Sequence, residues 1–261
     1  MITTTTYGKL PAIRIAAPDG AQATVTLYGA HLVSWKSADG KERLFMSSAS
    51  ALDGSRAIRG GVPVIFPQFA ERGAGLRHGF ARTSTWRHIG DGVSAGATYA
   101  DFELGDEDLS AQAAASFPRI FRLRLRVSIW AQQLQLSLDV TNQGDDMLQF
   151  AAALHTYYLL QPGETARIAG LEAAPFEVNQ KIDRIYRHIG APIALNGMRL
   201  EQQGFRDAVV WNPGAEDAAA LPDMADDEYQ RFVCIEPAAV DPMPLYPGET
   251  WTGRSIVTAT D

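Results

Sequence analysis

Residues 121–142 alternate apolar and polar side chains on both sides of a short connection, and this double period constrains the fold more than any other stretch. Leu123, Leu125 and Val127 are separated by Arg122, Arg124 and Arg126. Beyond the connection Ala131-Gln132-Gln133, Leu134, Leu136 and Leu138 are separated by Gln135, Ser137 and Asp139. In an extended chain successive side chains point to opposite faces, so each half presents one apolar and one wet face. Two such halves joined by so few residues predict an antiparallel hairpin.

Comparable short runs recur along the chain at AIRIAA, ATVTLYG, HLVSW, RLFM, TYADFEL, VVWN, RFVCIE and RSIVTAT. Gly, Pro, Asn and Asp punctuate them, and helical patterning is scarce. ADGKERL and GDEDLSAQAAA each have room for a turn or two of helix. The expected class is all-β, a large antiparallel β-sandwich or barrel-like double sheet with few short helices. No repeat, low-complexity linker or charge block divides the chain, so residues 1–261 are read as one domain.

Composition narrows the function. An apolar fraction of 46% supports a sizeable core, and a formal net charge of -7 argues against nucleic acid as a partner. Cys234 is the only cysteine, so neither an intramolecular disulfide nor a cysteine-based zinc cluster is expected. No apolar run reaches the length of a membrane span, and MITTTTYGKL lacks the pattern of a secretory signal. A soluble, cytoplasmic protein without membrane partners is expected, its oligomeric state open with a monomer favoured. The histidines form no HxH or HExxH pair, and P-loop, GxGxxG and GxSxG motifs are missing. Acid/base chemistry without metal or cofactor is what remains.

Three segments carry candidate groups. The first runs from Arg59 to Arg82, RGGVPVIFPQFAERGAGLRHGFAR, a turn-rich and locally basic stretch. Arg59, Arg77, His78 and Arg82 within it are either solvated and salt-bridged or the parts of an anion clamp, since guanidinium binds carboxylate and phosphate bidentately. The second is QFAAALHTYYLL, where an extended chain puts Ala151, Ala153, His155 and Tyr157 on one face, with space for a ligand above the alanines. A lone histidine in such a setting is more often a core residue. The third, RFVCIEP, brings Phe232, Cys234 and Glu236 to one face. Glu236 is either a base whose pKa is raised by apolar surroundings or a strand-end carboxylate with its head in solvent, as Pro237 after it suggests. Asp183 reads as a turn residue or a partner of Arg184 or Arg187, although a carboxylate can also accept two sugar hydroxyls. Trp35, Trp86, Tyr157 and Trp211 offer flat faces for a sugar ring or, more commonly, for the core.

Taken together, the segments YGAHLVSWK, LDGSRAIRGGVPVIFPQF, RHGFARTSTW, LHTYY, DRIYR, DAVVWNP, DDEYQRFVCIEPAAV and LYPGETW resemble, in order, the aldose 1-epimerase (mutarotase) superfamily and within it the glucose-6-phosphate 1-epimerase group. The resemblance spans about Tyr28 to Trp251. It implies a β-sandwich of the galactose-mutarotase type, no cofactor, and interconversion of the anomers of an aldohexose 6-phosphate. It implies His155 and Glu236 as the catalytic pair, with Glu236 the base and a protonated His155 the acid. It further implies Asp183 on sugar hydroxyls, and Arg59 and Arg82 on the substrate with His78 beside them. Two positions depart from the pattern: Arg77 stands where relatives carry glutamine, and Gly214 follows Pro213 where a tryptophan is common. The first adds a cation to the presumed anion site; the second is expected to open the pocket wall.

Overall fold

The computed structural model describes residues 1–73 and 75–260. The hairpin forms as expected: Phe121–Trp130 and Gln133–Asn142 pair antiparallel, with Ala131 at φ +47 in the tight turn. Leu123, Leu125, Val127 and Ile129 on one strand and Leu134, Leu136, Leu138 and Val140 on the other are all buried. Each such side chain contributes roughly 1.5–3 kcal/mol by leaving water. On the wet face Arg126 Nε lies 2.7 Å from Asp101 Oδ1 and Arg122 Nη1 lies 2.7 Å from Glu103 Oε1, so cross-strand pairs satisfy the basic stripe.

This hairpin lies within a nine-stranded antiparallel sheet running from Phe176–Val178 at one edge to Arg87–Ser94 at the other. A four-stranded meander, Ile2–Tyr7 to His31–Lys36, extends the architecture at the N-terminal end. A six-stranded sheet is built on the long strand Phe232–Leu245, flanked by Asp207–Asn212 on one side and Leu148–Leu154 on the other. Its inner face (Phe150, Ala152, Leu154, Val210, Val233 and Ile235) packs in one cluster with the leucines of the hairpin and with Ile13, Ile15 and Val25 of the meander. The outer face carries Ala151, Ala153, Val209 and Ala238 in a separate cluster. Small residues there leave room, and the candidate groups stand on that face.

Local expectations fail at three places. ADGKERL forms no helix; Lys36, Glu42 and Leu44 take part in isolated bridges instead. RLFM likewise supplies bridges at Leu44 and Met46 rather than a strand. Phe232–Leu245 does not stop at Pro237, which faces Ala208 across the sheet while the strand runs on to Leu245. GDEDLSAQAAA does hold one short helix, Ala111–Ser116, capped by the Ser110 hydroxyl. Among the described residues no helix is long and apolar enough to cross a membrane.

Candidate active site

Glu236 enters the site from the long strand, opposite Val209, and is 1% exposed. Its head is therefore not in solvent. His155 does not lie within a continuous strand: extended pairing stops at Leu154 and resumes at Tyr157. The break is held by His155 N–H donating to Pro63 O at 3.0 Å and Thr156 N–H to Leu154 O at 2.8 Å. It turns the imidazole towards the long strand, where His155 Nε2 faces Glu236 Oε1 at 3.4 Å. The ring stacks on Tyr157, with centroids 4.9 Å apart and planes 13° apart, and meets the edge of Trp211 at 5.8 Å.

Arg59, Arg77, His78, Arg82, His155, Asp183 and Glu236 all line one cavity of about 270 Å³. Their anchoring differs. Arg59 is clamped by Asp223, with Nε and Nη2 donating to Oδ1 and Oδ2 at 3.2 Å each, and its Nη1 donates to the Tyr157 hydroxyl at 3.0 Å. Arg82 donates from Nη2 only to the backbone carbonyl of Arg77, at 2.9 Å, and its shielded Nε has no partner. Among the described residues neither Arg77 nor Arg82 has a carboxylate partner. Asp183 lines the cavity from Ile182–Tyr186 and pairs with neither arginine beside it; Arg184 binds Glu172, and Arg187 binds Asp207 and Asp241.

The loop between Phe66 and Arg82 is shaped by its own polar groups. The Gln68 carboxamide donates to Ala70 O at 3.0 Å and accepts from Gly75 N–H at 2.9 Å, tying the two limbs together. His78 sits at φ +63, and its N–H donates to Ala70 O while the Ala70 N–H returns to His78 Nδ1 at 3.2 Å. That bond occupies Nδ1 as an acceptor, so the neutral ring carries its hydrogen on Nε2. Gly79 follows at φ +68, and a Cβ there would lie 2.0 Å from Phe66 O. Beneath Arg59, buried His31 donates from Nε2 to Gly60 O at 2.8 Å. Gly61 at φ +57 crosses so close that a Cβ would lie 2.3 Å from Leu32 O.

Burial sets the electrostatics of the cluster. It pushes His78 down to about 3, helped by Arg82, Arg77 and Arg59, so this ring is neutral across the working range. His155 is also driven well below 6.5, by burial first and then by His78, Arg59 and Arg82. Glu236 is driven well above 4.5, by burial and then by Asp183, with Arg82 opposing. Expectation and structure part company here. A carboxylate does stand beside His155, but it does not keep the imidazole protonated, because desolvation and nearby cations outweigh it. The shared proton favours the carboxyl.

Several residues of this site carry no signal in the sequence. Asp223 is 164 positions from Arg59 and is placed by a buried knot in which Ser47 Oγ lies 2.9 Å from Asp223 O and 2.6 Å from Glu228 Oε2. Arg72 also lines the cavity, its charge met by Asp241 at 3.2 Å. Of the tryptophans, Trp211 reaches the cavity, while Trp35 and Trp86 are buried in the sandwich core. Gly214 does not line the cavity. It opens the helix Gly214–Ala219 at φ +66, where a Cβ would meet the Lys181 backbone at 3.0 Å.

Comparison with known proteins bears on the family and the fold. The aldose 1-epimerase family model matches residues 11–187 and 187–258. A protein of Cenchrus ciliaris provisionally named glucose-6-phosphate 1-epimerase is 33% identical over 91% of this chain and 81% of its own length. A protein of Escherichia coli K12 with the same provisional name is 28% identical over 88% of this chain and 84% of its own. A solved structure from Salmonella typhimurium, provisionally described as a mutarotase, has a TM-score of 0.83 at 24% identity, covering 99% of this chain and 94% of the other. At that identity it attests the fold. The family model and the one-third-identical relative, each spanning most of the sequence, establish that the chain belongs to the aldose 1-epimerase family.

Proposed function

We propose that the protein interconverts the α and β anomers of an aldohexose 6-phosphate, with glucose 6-phosphate the substrate to test first. The observation that carries this reading is the juxtaposition, in one cavity, of the buried His155–Glu236 pair and two guanidiniums, Arg77 and Arg82, that no carboxylate among the described residues pairs with. Two unmatched positive charges suit a phosphate monoester, which carries about -1.5 to -2 at neutral pH. The provisional names of the relatives point to the same substrate class.

In this mechanism one internal proton transfer across the 3.4 Å gap, from the Glu236 carboxyl that burial favours to His155 Nε2, first sets the pair; Glu236 as carboxylate then takes the proton of the C1 hydroxyl, and His155 as imidazolium gives one to the ring oxygen. The C1–O5 bond breaks to give the open aldehyde, C1 rotates about C1–C2, and reclosure on the other carbonyl face returns both protons. Each positioned proton transfer contributes roughly 10²–10⁴-fold. His78, fixed as an Nε2–H donor, hydrogen-bonds a substrate oxygen without entering the proton traffic. Asp183 accepts from sugar hydroxyls, and Trp211 covers an apolar face of the ring. Arg59, already matched by Asp223, aligns the pocket wall. Residues 1–261 act here as one domain, as a cytoplasmic monomer whose mass size-exclusion chromatography checks.

Exchange NMR between the two anomers, run on glucose 6-phosphate and glucose side by side, tests the reading. Faster exchange of the phosphorylated sugar is expected. Equal acceleration of both sugars assigns the protein to unphosphorylated aldoses, and acceleration of neither leaves a sugar-binding sandwich.

A further inference from the structure

His155 has little of its own to hold its ring. It stands in the break between two pieces of strand, and no side chain among the described residues hydrogen-bonds its Nδ1. A reacting histidine is commonly oriented by such a bond on its other nitrogen. Here neighbouring rings take that place. One face of the imidazole lies on Tyr157, with centroids 4.9 Å apart and planes 13° apart. Trp211 at 5.8 Å and His78 at 5.7 Å meet it at 75° and 76°. A near-parallel stack restrains rotation about the Cβ–Cγ bond, which in histidine is a broad, soft torsion.

Tyr157 is itself fixed by backbone, ring and hydroxyl. Its N–H donates to Gly61 O at 2.9 Å, its carbonyl accepts from Phe45 N–H at 3.0 Å, and it faces Cys234 on the long strand. Its ring packs on Phe232 at 5.0 Å and on Phe45 at 6.4 Å. At the far end its hydroxyl accepts from Arg59, which Asp223 grips with both oxygens. Tyr157 nevertheless stands behind the cavity wall rather than in it.

We infer that Tyr157 is a positioning residue, whose ring face holds the His155 imidazole in the plane from which Nε2 meets both Glu236 and the ring oxygen of the sugar. The inference rests on the reading of His155 as the acid and adds a residue that acts without touching substrate. Proton transfer falls steeply with misplacement, and an error of about 1 Å costs on the order of 10²-fold. Loss of the ring face therefore lowers kcat, while KM, set by groups that line the cavity, stays near the parent's.

The experiment measures anomer exchange of glucose 6-phosphate by NMR for Tyr157→Phe, which keeps the ring, and for Tyr157→Met and Tyr157→Leu, which do not. Thermal unfolding sets a temperature at which each variant is folded. The two ring-free variants should lose roughly tenfold to a hundredfold in kcat with KM changed by less than about threefold, and Tyr157→Phe should recover kcat to within about threefold of the parent. In the His155→Asn background the same substitutions should change kcat by less than about threefold, since the group they misplace is gone. A purely structural role lowers the unfolding midpoint, leaves kcat of the folded protein alone and does not depend on His155. The parent supplies a second measurement: the His155 ring protons should carry the upfield ring-current shift of a stacked tyrosine, and its absence overturns the inference whether or not the ring-free variants fold. Ring-free variants with the parent's kcat, a loss carried by KM, a Tyr157→Phe as impaired as they are, or an equal loss in the His155→Asn background also overturn it, while the reading of His155 stands. If His155→Asn itself exchanges at the parent's rate, that reading falls and the inference with it.

Discussion

Replacing Glu236 by glutamine is expected to stabilise the protein while removing its activity, because the burial that makes this carboxyl useful also makes it costly. Glu236 is 1% exposed and its Oε2 has no hydrogen-bond partner. Burial, with Asp183 adding to it, holds its folded-state pKa well above the ordinary 4.5. Between those two values the folded chain keeps a proton that the unfolded chain has lost. Stability therefore falls as pH rises through that window, by about 1.4 kcal/mol per pH unit, and the loss is complete above the folded pKa. His155 works in the opposite direction. Its folded pKa is lowered, so below 6.5 the unfolded chain takes up a proton that the folded chain refuses, and stability rises with pH there. The parent protein shows the sum of the two slopes; the difference from Glu236→Gln isolates the carboxyl. Glutamine has no proton to lose, and its amide can donate to His155 Nε2, 3.4 Å from the present oxygen. A chain of this length moves in Tm by roughly 2–4 °C per kcal/mol. The Tm gap between variant and parent should then open by roughly 3–5 °C per pH unit above the ordinary carboxyl range before levelling off. Turnover should fall by roughly 10²–10⁴-fold. Thermal unfolding of both proteins across acid to mildly alkaline pH, with anomer exchange on the same samples, tests both halves. A gap that stays flat with pH, or a variant that keeps the parent's turnover, refutes the reasoning.

Three further outcomes follow from named contacts. His155→Asn should lower kcat by roughly 10²-fold or more while glucose 6-phosphate still binds, as titration calorimetry can check. Asp223→Asn removes the charge that clamps Arg59 at 3.2 Å and should cost about 2–3 kcal/mol, less than a fully buried pair, read as a fall in the urea midpoint. Gly79→Ala forces a Cβ to within 2.0 Å of Phe66 O at φ +68 and should destabilise the fold by roughly 3 kcal/mol or more, visible as loss of the cooperative unfolding transition at the parent's midpoint.

The alternation of residues 121–142 was enough to predict a hairpin, its wet face and an antiparallel all-β architecture, because period-two patterning and burial are local consequences of extended geometry. The same logic placed Ala151 and Ala153 on the open face of their sheet and Phe232 and Cys234 on the face of Glu236. Motif resemblance then nominated six residues, its departure at Arg77 added a seventh, and the fold gathers all of them around one cavity. Proline after Glu236 misled, since Pro237 lies within a strand whose sheet partners accommodate it. The ladder break at His155 was equally invisible, being imposed by contacts with Pro63 from a distant segment.

What the sequence by itself determined is the set of side chains and the faces on which they stand. Only the tertiary structure decided which charges are matched. Asp223 reaches Arg59 across 164 residues, while Arg77 and Arg82 are left without a carboxylate partner among the described residues. Likewise the chain states that a histidine and a glutamate are present, but not that burial pulls the proton from one towards the other. Coulomb energies and desolvation depend on distance and on the exclusion of water, and both exist only once remote strands have packed.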